Sequence, residues 1–173
     1  MKLMMLKVLC IVLFTINANA DVTALGFTIN KSTEKDLKKS KCKFKKVKAE
    51  NKNISAYIAN ASCYKIDGLK QVYVAFKNKT TKHIVGIFDK EYFDSVKNTI
   101  DEKYTLQNEE IPFVGDAHAQ WNAEDENVTV RLNSPHLSFE MQLIYIDNGY
   151  LEELEGVANE EENEKLQKMN NVL

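Results

Sequence analysis

The sequence has 173 residues, of which 44% are hydrophobic, and a formal net charge of −2 at pH 7. This composition is typical of one ordinary globular domain with a core of its own. Arg131 is the single arginine in the chain, and neither charge nor composition indicates the basic face that a nucleic-acid partner requires.

The first twenty residues have the three parts of a cleavable secretory signal peptide. Lys2 and Lys7 are basic, residues 8–16 are apolar, and Ala18-Asn19-Ala20 places small residues at the −3 and −1 positions of a cleavage site. The apolar stretch is shorter than the ~20 residues that a membrane span needs. We therefore expect cleavage after Ala20 and a periplasmic or secreted protein with no transmembrane segment after cleavage; an uncleaved anchor is the alternative.

Cleavage would remove Cys10 and leave Cys42 and Cys63 as a pair. Two cysteines in an exported chain favour one disulfide. A hairpin in which Lys48 faces Tyr57 would place the two cysteines opposite each other, at a spacing suited to a disulfide. A redox-active or metal-binding pair is the alternative, although CxxC spacing is absent.

The remaining pattern predicts helices and strands in the order α, four strands, α, three strands, α. Thr33 and Asp36 form a capping box for a first helix, and Asp89 can cap a second helix over 90–103. Between them, apolar alternation predicts a hairpin of strands. The predicted elements are an extended entry at 21–30, a helix at 33–40, strands at 42–48, 55–64, 71–77 and 83–88, a helix at 90–103, a loop at 105–118, strands at 119–123, 127–133 and 137–146, and a helix from about 148 to 169.

Sequential hairpins favour an α+β fold, with an antiparallel β-meander sheet, helices packed on one side and a C-terminal helix. The domain boundaries that we expect are a signal peptide at 1–20, a single α+β domain at 21–148 and a charged C-terminal helix or tail at 149–173. The order of elements is similar to that of small exported proteins built from a helix and a β-meander, which include periplasmic inhibitors and envelope-assembly accessory proteins.

The sequence contains no catalytic or metal-binding motif. His83, His118 and His136 have no metal-ligand spacing, and His83 and His136 are expected to be ordinary surface residues. Asp116 and His118 form the one local acid–histidine pair, which is the basis for a hydrolase alternative. No cofactor or metal is expected.

The stretch from Ile111 to Trp121 is the first candidate for a partner-binding site, because the loop predicted at 105–118 is long and long loops in compact domains are often functional. Its candidate contact residues are Ile111, Phe113, Asp116, His118 and Trp121. Trp121 could instead fill the core. The function that we expect is that of an exported, non-catalytic binding or accessory protein of the cell envelope, such as an inhibitor of another envelope or secreted protein. A small secreted hydrolase and a structural envelope protein are the alternatives.

Overall fold

The chain folds around one eight-stranded antiparallel sheet. The structure, a computed structural model, describes residues 21–49, 51–123 and 127–170, so the predicted signal peptide lies outside the described residues. The elements are β1 (Thr23–Ala24), β2 (Phe27–Thr28), α1 (Glu34–Leu37), β3 (Lys45–Val47), β4 (Ile54–Asn60), β5 (Leu69–Lys77), β6 (Thr80–Asp89), α2 (Phe93–Asp101), β7 (Thr105–Glu110), β8 (Ala117–Ala123), β9 (Val128–Ser134), β10 (Glu140–Asp147) and α3 (Asn148–Asn170).

The sheet consists of two meanders that meet at its centre. Its strand order is β3-β4-β5-β6-β10-β9-β8-β7, so β6 pairs with β10 between the two sets of four strands. A separate hairpin joins β1 and β2. The antiparallel order brings the β4–β5, β7–β8 and β9–β10 connections to one end of the sheet, which we call the loop end. The predicted antiparallel sheet with a C-terminal helix is therefore confirmed, with a fourth strand in the second meander.

One face of the sheet carries the hydrophobic core. Alternation along β5 and β6 directs Val72, Val74 and Ile84 to this face, where each is 0% exposed. Helix α2 adds Ile100 and the β1–β2 hairpin adds Phe27 to the same cluster. Burying side chains of this size stabilises the fold by about 1.5–3 kcal/mol each. The second meander contributes Ala119, Trp121, Val128, Val130, Leu132, Met141, Leu143 and Tyr145.

The first turn of α3 contacts the opposite face. Tyr150 is 6% exposed and lies against His83 of β6, with ring centroids 6.3 Å apart. Lys77 of β5 forms an ion pair with Glu153, and its ammonium lies 5.9 Å from the centroid of the Tyr150 ring. The expectation that His83 is an ordinary surface residue is wrong, because neighbouring aromatic rings partly bury it.

The segment predicted as a loop over 105–118 begins instead with strand β7. Five of its six residues have partners in β8, a register shift lies between Leu106 and Asn108, and all six residues are exposed. The sequence TLQNEE has no apolar alternation, so the usual signal for a strand is absent. Backbone pairing with β8 forms the strand, and the loop shortens to residues 111–116.

The predicted disulfide between Cys42 and Cys63 is present, with the two Cα atoms 5.6 Å apart. The predicted register is wrong by two residues, because Lys46 rather than Lys48 lies opposite Tyr57. Cys63 lies in a 3-10 turn over Ala61–Cys63, which follows β4. This turn shortens the path of the chain, so that Cys63 reaches Cys42 in spite of the shifted register.

Of the two predicted helix caps, one is confirmed and the other is wrong. The capping box of α1 is confirmed, since the Thr33 N–H donates to Asp36 Oδ2 at 2.8 Å. Asp89 does not cap the second helix, because its carboxylate pairs with Lys70 at 2.5 Å. That helix starts as a 3-10 turn over Lys90–Tyr92 and becomes α-helical at Phe93.

Candidate functional site

Two loops at the loop end of the sheet expose large apolar side chains to solvent. Phe113 in the β7–β8 loop is 104% exposed, and Leu137 and Phe139 in the β9–β10 loop are 94% and 90% exposed. Ile111 and Val114 add further exposed apolar surface beside Phe113. We call these five residues the apolar tip. Scattered single apolar residues are common on protein surfaces, but a cluster of this kind usually marks an interaction site.

The two loops are hydrogen-bonded to each other. Asp116 Oδ1 accepts the backbone N–H of His136 at 2.6 Å, and the Gly115 N–H donates to His136 Nδ1 at 3.4 Å. Gly115 has φ +131°, a backbone conformation that side chains of L-residues rarely adopt. The sequence Gly-Asp therefore serves to turn the first loop and to fasten it to the second.

Lys90 fastens the second loop to the body of the protein. Its backbone N–H donates to the carbonyl oxygen of Phe139 at 2.9 Å, and its Nζ donates to the carbonyl oxygen of Pro135 at 2.8 Å. Lys90 directly follows β6, the central strand that pairs with β10. These hydrogen bonds hold the second loop of the apolar tip in position, and such preorganisation would lower the entropic cost of binding a partner.

The apolar tip carries no charge of its own; three acidic residues flank its segments in sequence, and the Lys90 ammonium contacts its second loop. Glu110 precedes it with 71% of its side chain exposed, and Asp116 and Glu140 follow its two segments. Lys70 lies 3.5 Å from Glu140, so this carboxylate is partly neutralised. The surroundings of the tip therefore favour a partner with basic rather than acidic groups around its binding surface.

The structure brings most, but not all, of the predicted binding residues to this site. Ile111 and Phe113 belong to the apolar tip, and Asp116 positions it. His118 lies at the start of β8, half exposed, with Nε2 3.9 Å from Glu110. Trp121 is 0% exposed, so it cannot contact a partner in this conformation and is removed from the site.

Trp121 is instead a core residue with a partly buried hydrogen bond. Its Nε1–H donates to Asp101 Oδ1 at 2.7 Å, which joins β8 to the end of α2. Burial acts to raise the pKa of Asp101, but hydrogen bonds from Lys97 and Trp121 outweigh it and lower this pKa. The ionised carboxylate is therefore the partner that satisfies the indole N–H.

Asp116 and His118 do not form the pair on which the hydrolase alternative depends. The Asp116 carboxylate accepts from the backbone of His136, whereas the acid nearest to His118 is Glu110. In the part of the chain that the structure describes, no group of three His, Cys, Asp or Glu side chains is placed to hold a metal ion. The structure therefore does not assemble the Asp116–His118 pair.

Leu137, Phe139 and Lys90 belong to the candidate site, although the sequence pattern assigned them to a strand and a helix. Alternation placed Leu137 and Phe139 in the last strand, but β10 begins at Glu140. A local signal does exist at Ser138, whose Oγ accepts the Glu140 N–H at 2.9 Å in a turn of the kind that serine favours. Nothing in the sequence around Lys90 indicates its hydrogen bonds to a loop 45 residues away.

Comparisons with known proteins add no relative to this description. The chain matches no protein-family model, and no significant match is found among curated proteins or solved structures.

Proposed function

We propose that this protein is an exported, non-catalytic binding protein, which docks on another envelope or secreted protein through the apolar tip. The observation that carries the proposal is the exposure of Phe113, Leu137 and Phe139, each at 90% or more, on two loops that are fastened together. The partner that fits this protrusion has an apolar cleft with basic residues at its rim. An inhibitor or an accessory protein would act by occupying such a cleft.

Location outside the cytoplasm is part of the proposal. The signal-like segment at residues 1–20 supports it, and so does the Cys42–Cys63 disulfide, because disulfides persist in oxidising compartments. Between residues 21 and 170, apart from position 50 and 124–126, no helix has the length and apolar character needed to cross a membrane. These features are compatible with a periplasmic or secreted protein.

The shape and charge of the site favour a protein partner. Apolar side chains on the tips of two loops can fill a cleft and act as binding hot spots when they are fully desolvated. The acidic residues around them, Glu110 and Asp116 among them, would be repelled by the anionic surface of a membrane. The net charge of −2 likewise opposes binding to nucleic acid.

The test compares a tip variant with a matched control. Phe113→Ser, Leu137→Ser and Phe139→Ser together remove the tip, and because these side chains are exposed the variant should fold normally. Leu154→Ser with Val157→Ser removes exposed apolar side chains from α3 and serves as the control. Partners cross-linked to the wild-type protein in an envelope extract are identified, purified and titrated with all three proteins.

Burying each tip side chain contributes about 1.5–3 kcal/mol, so loss of all three should weaken binding at least about 100-fold. The α3 control should bind like the wild type. Equal affinity of the tip variant and the wild type would refute the proposal. Binding of the wild type to lipid vesicles in preference to any purified partner would also refute it.

A further inference from the structure

A second candidate site lies on the core side of the sheet, away from the apolar tip. A groove of about 370 Å³ runs between α2 and the β1–β2 hairpin, above strands β6 and β10. This volume lies in the range of small-molecule sites. Its floor is apolar and comes from Phe88, Ile100 and Leu143, with Leu25 and Val96 on the walls. We call it the α2 groove.

The two ends of the α2 groove differ in charge. Helix α2 starts at the loop end, where Ile66 and Asp67 line the groove, and it leads to Lys103 at the far end. Lys103 is exposed, and the ion pairs within the described residues do not include it. The lining from Tyr92 to Lys103 spans about 16 Å at the rise of a helix. The groove is therefore long and narrow, with a cation at one end.

A polar side chain, that of Tyr145, also lines the groove. Tyr145 is 6% exposed and lines the groove, and its ring contacts that of Tyr104, the residue after Lys103. Burial raises the pKa of Tyr145, so its hydroxyl keeps its proton and can donate it in a hydrogen bond. Among the side-chain hydrogen bonds of the described residues, none satisfies this hydroxyl. Because Tyr145 lines the groove, this hydroxyl can donate to an acceptor on a ligand there.

We infer that the α2 groove binds a single-chain amphiphile with an anionic head group, such as a fatty acid. The chain lies on Leu143, Ile100 and Phe88, and the carboxylate takes the Tyr145 hydroxyl and the Lys103 ammonium as its two donors. Asp67 at the opposite end repels a second anionic group, so the head group lies at the Lys103 end. This site and the apolar tip use different residues, and neither proposal depends on the other.

Calorimetric titration with laurate, kept below the concentration at which it forms micelles, tests the inference on the whole mature protein. Tyr145→Phe keeps the ring and removes the hydroxyl, whereas Lys103→Gln removes the charge of an exposed side chain. Each should weaken laurate binding about tenfold, as expected for loss of a hydrogen bond to a charged group. Lys52→Gln is the matched control, since Lys52 is exposed and lies far from the groove.

Additional variants and a cationic amphiphile distinguish binding in the α2 groove from non-specific binding. Val96→Trp fills the groove and should abolish laurate binding. Dodecyltrimethylammonium, which has a cationic head group, should not bind with a 1:1 stoichiometry. The tip variant should bind laurate like the wild type. The inference is overturned if laurate shows no saturable binding, or if Tyr145→Phe and Lys103→Gln both bind laurate like the wild type. It is also overturned if the cationic amphiphile binds as well as laurate does, or if the tip variant loses laurate binding. Thermal unfolding of each variant verifies that it is folded.

Discussion

His83 should make the stability of this protein depend on pH. Its ring lies between Tyr73 and Tyr150, at centroid distances of 5.8 Å and 6.3 Å. Burial lowers the pKa of His83 from 6.5 to about 4. Lys77, whose ammonium lies over the Tyr150 ring, and Glu153 pair with each other on this face of the sheet. The folded state thus holds His83 neutral at a pH at which the unfolded chain already binds a proton.

The sign and the size of the effect follow from these two pKa values. Well above pH 6.5 the imidazole is neutral in both the folded protein and the unfolded chain, so its protonation does not affect the free energy of unfolding. As the pH falls from about 6.5 to about 4, the unfolded chain takes up a proton that the folded protein excludes, so the free energy of unfolding decreases. At about 1.4 kcal/mol per pKa unit the full loss is about 3 kcal/mol. Since part of His83 remains accessible to solvent, we expect between about 1 and 3 kcal/mol.

Replacement of His83 by Phe keeps an aromatic ring and removes the titration. Urea unfolding of the wild type and of His83→Phe between pH 4 and pH 8 gives the difference between their free energies of unfolding at each pH. Carboxylates titrate in both proteins, so their contribution cancels in the difference. This difference should be constant above about pH 7 and should shift in favour of the variant as the pH falls. Parallel pH profiles of the two proteins would refute the assignment of a buried, neutral His83.

Two further substitutions test other contacts. Asp101→Ala leaves the indole N–H of Trp121 without its charged acceptor, which should cost about 1.5–3 kcal/mol in urea unfolding; a loss below 0.5 kcal/mol would show that the bond contributes little. Replacing Cys42 and Cys63 together by Ser opens a loop with a sequence separation of 21. This should lower the free energy of unfolding by about 3 kcal/mol. An unchanged midpoint of unfolding would contradict this expectation.

Local patterns were sufficient for much of the fold. Alternation identified β5 and β6, and Asn78 and Lys79 between them both adopt positive φ, as a tight hairpin turn requires. The Thr33 capping box was predictable because it involves only neighbouring residues. The disulfide was predictable because two cysteines remain after cleavage of the predicted signal peptide. The stretch from Ile111 to Trp121 was predicted as the candidate site because the loop expected at 105–118 is long for a compact domain, and residues 111–116 are the part of it that remains a loop.

The end of a strand and the burial of a side chain depend on partners that are distant in sequence. Alternation continues through Leu137 and Phe139, but pairing of β10 with β6 stops where Glu140 meets Asp89, and the two side chains are left in solvent. Strand β7 shows the converse, since a polar sequence forms a strand because β8 supplies hydrogen bonds.

The sequence by itself therefore determined the cysteine pair, most hairpins and the first loop of the apolar tip. Tertiary structure alone decided that Trp121 belongs to the core and that His83 is shielded by Tyr150. It also decided that Leu137 and Phe139 are exposed and complete the apolar tip. The physical reason is that periodicity records which face of a strand a residue occupies, whereas exposure depends on what other parts of the chain place over that face.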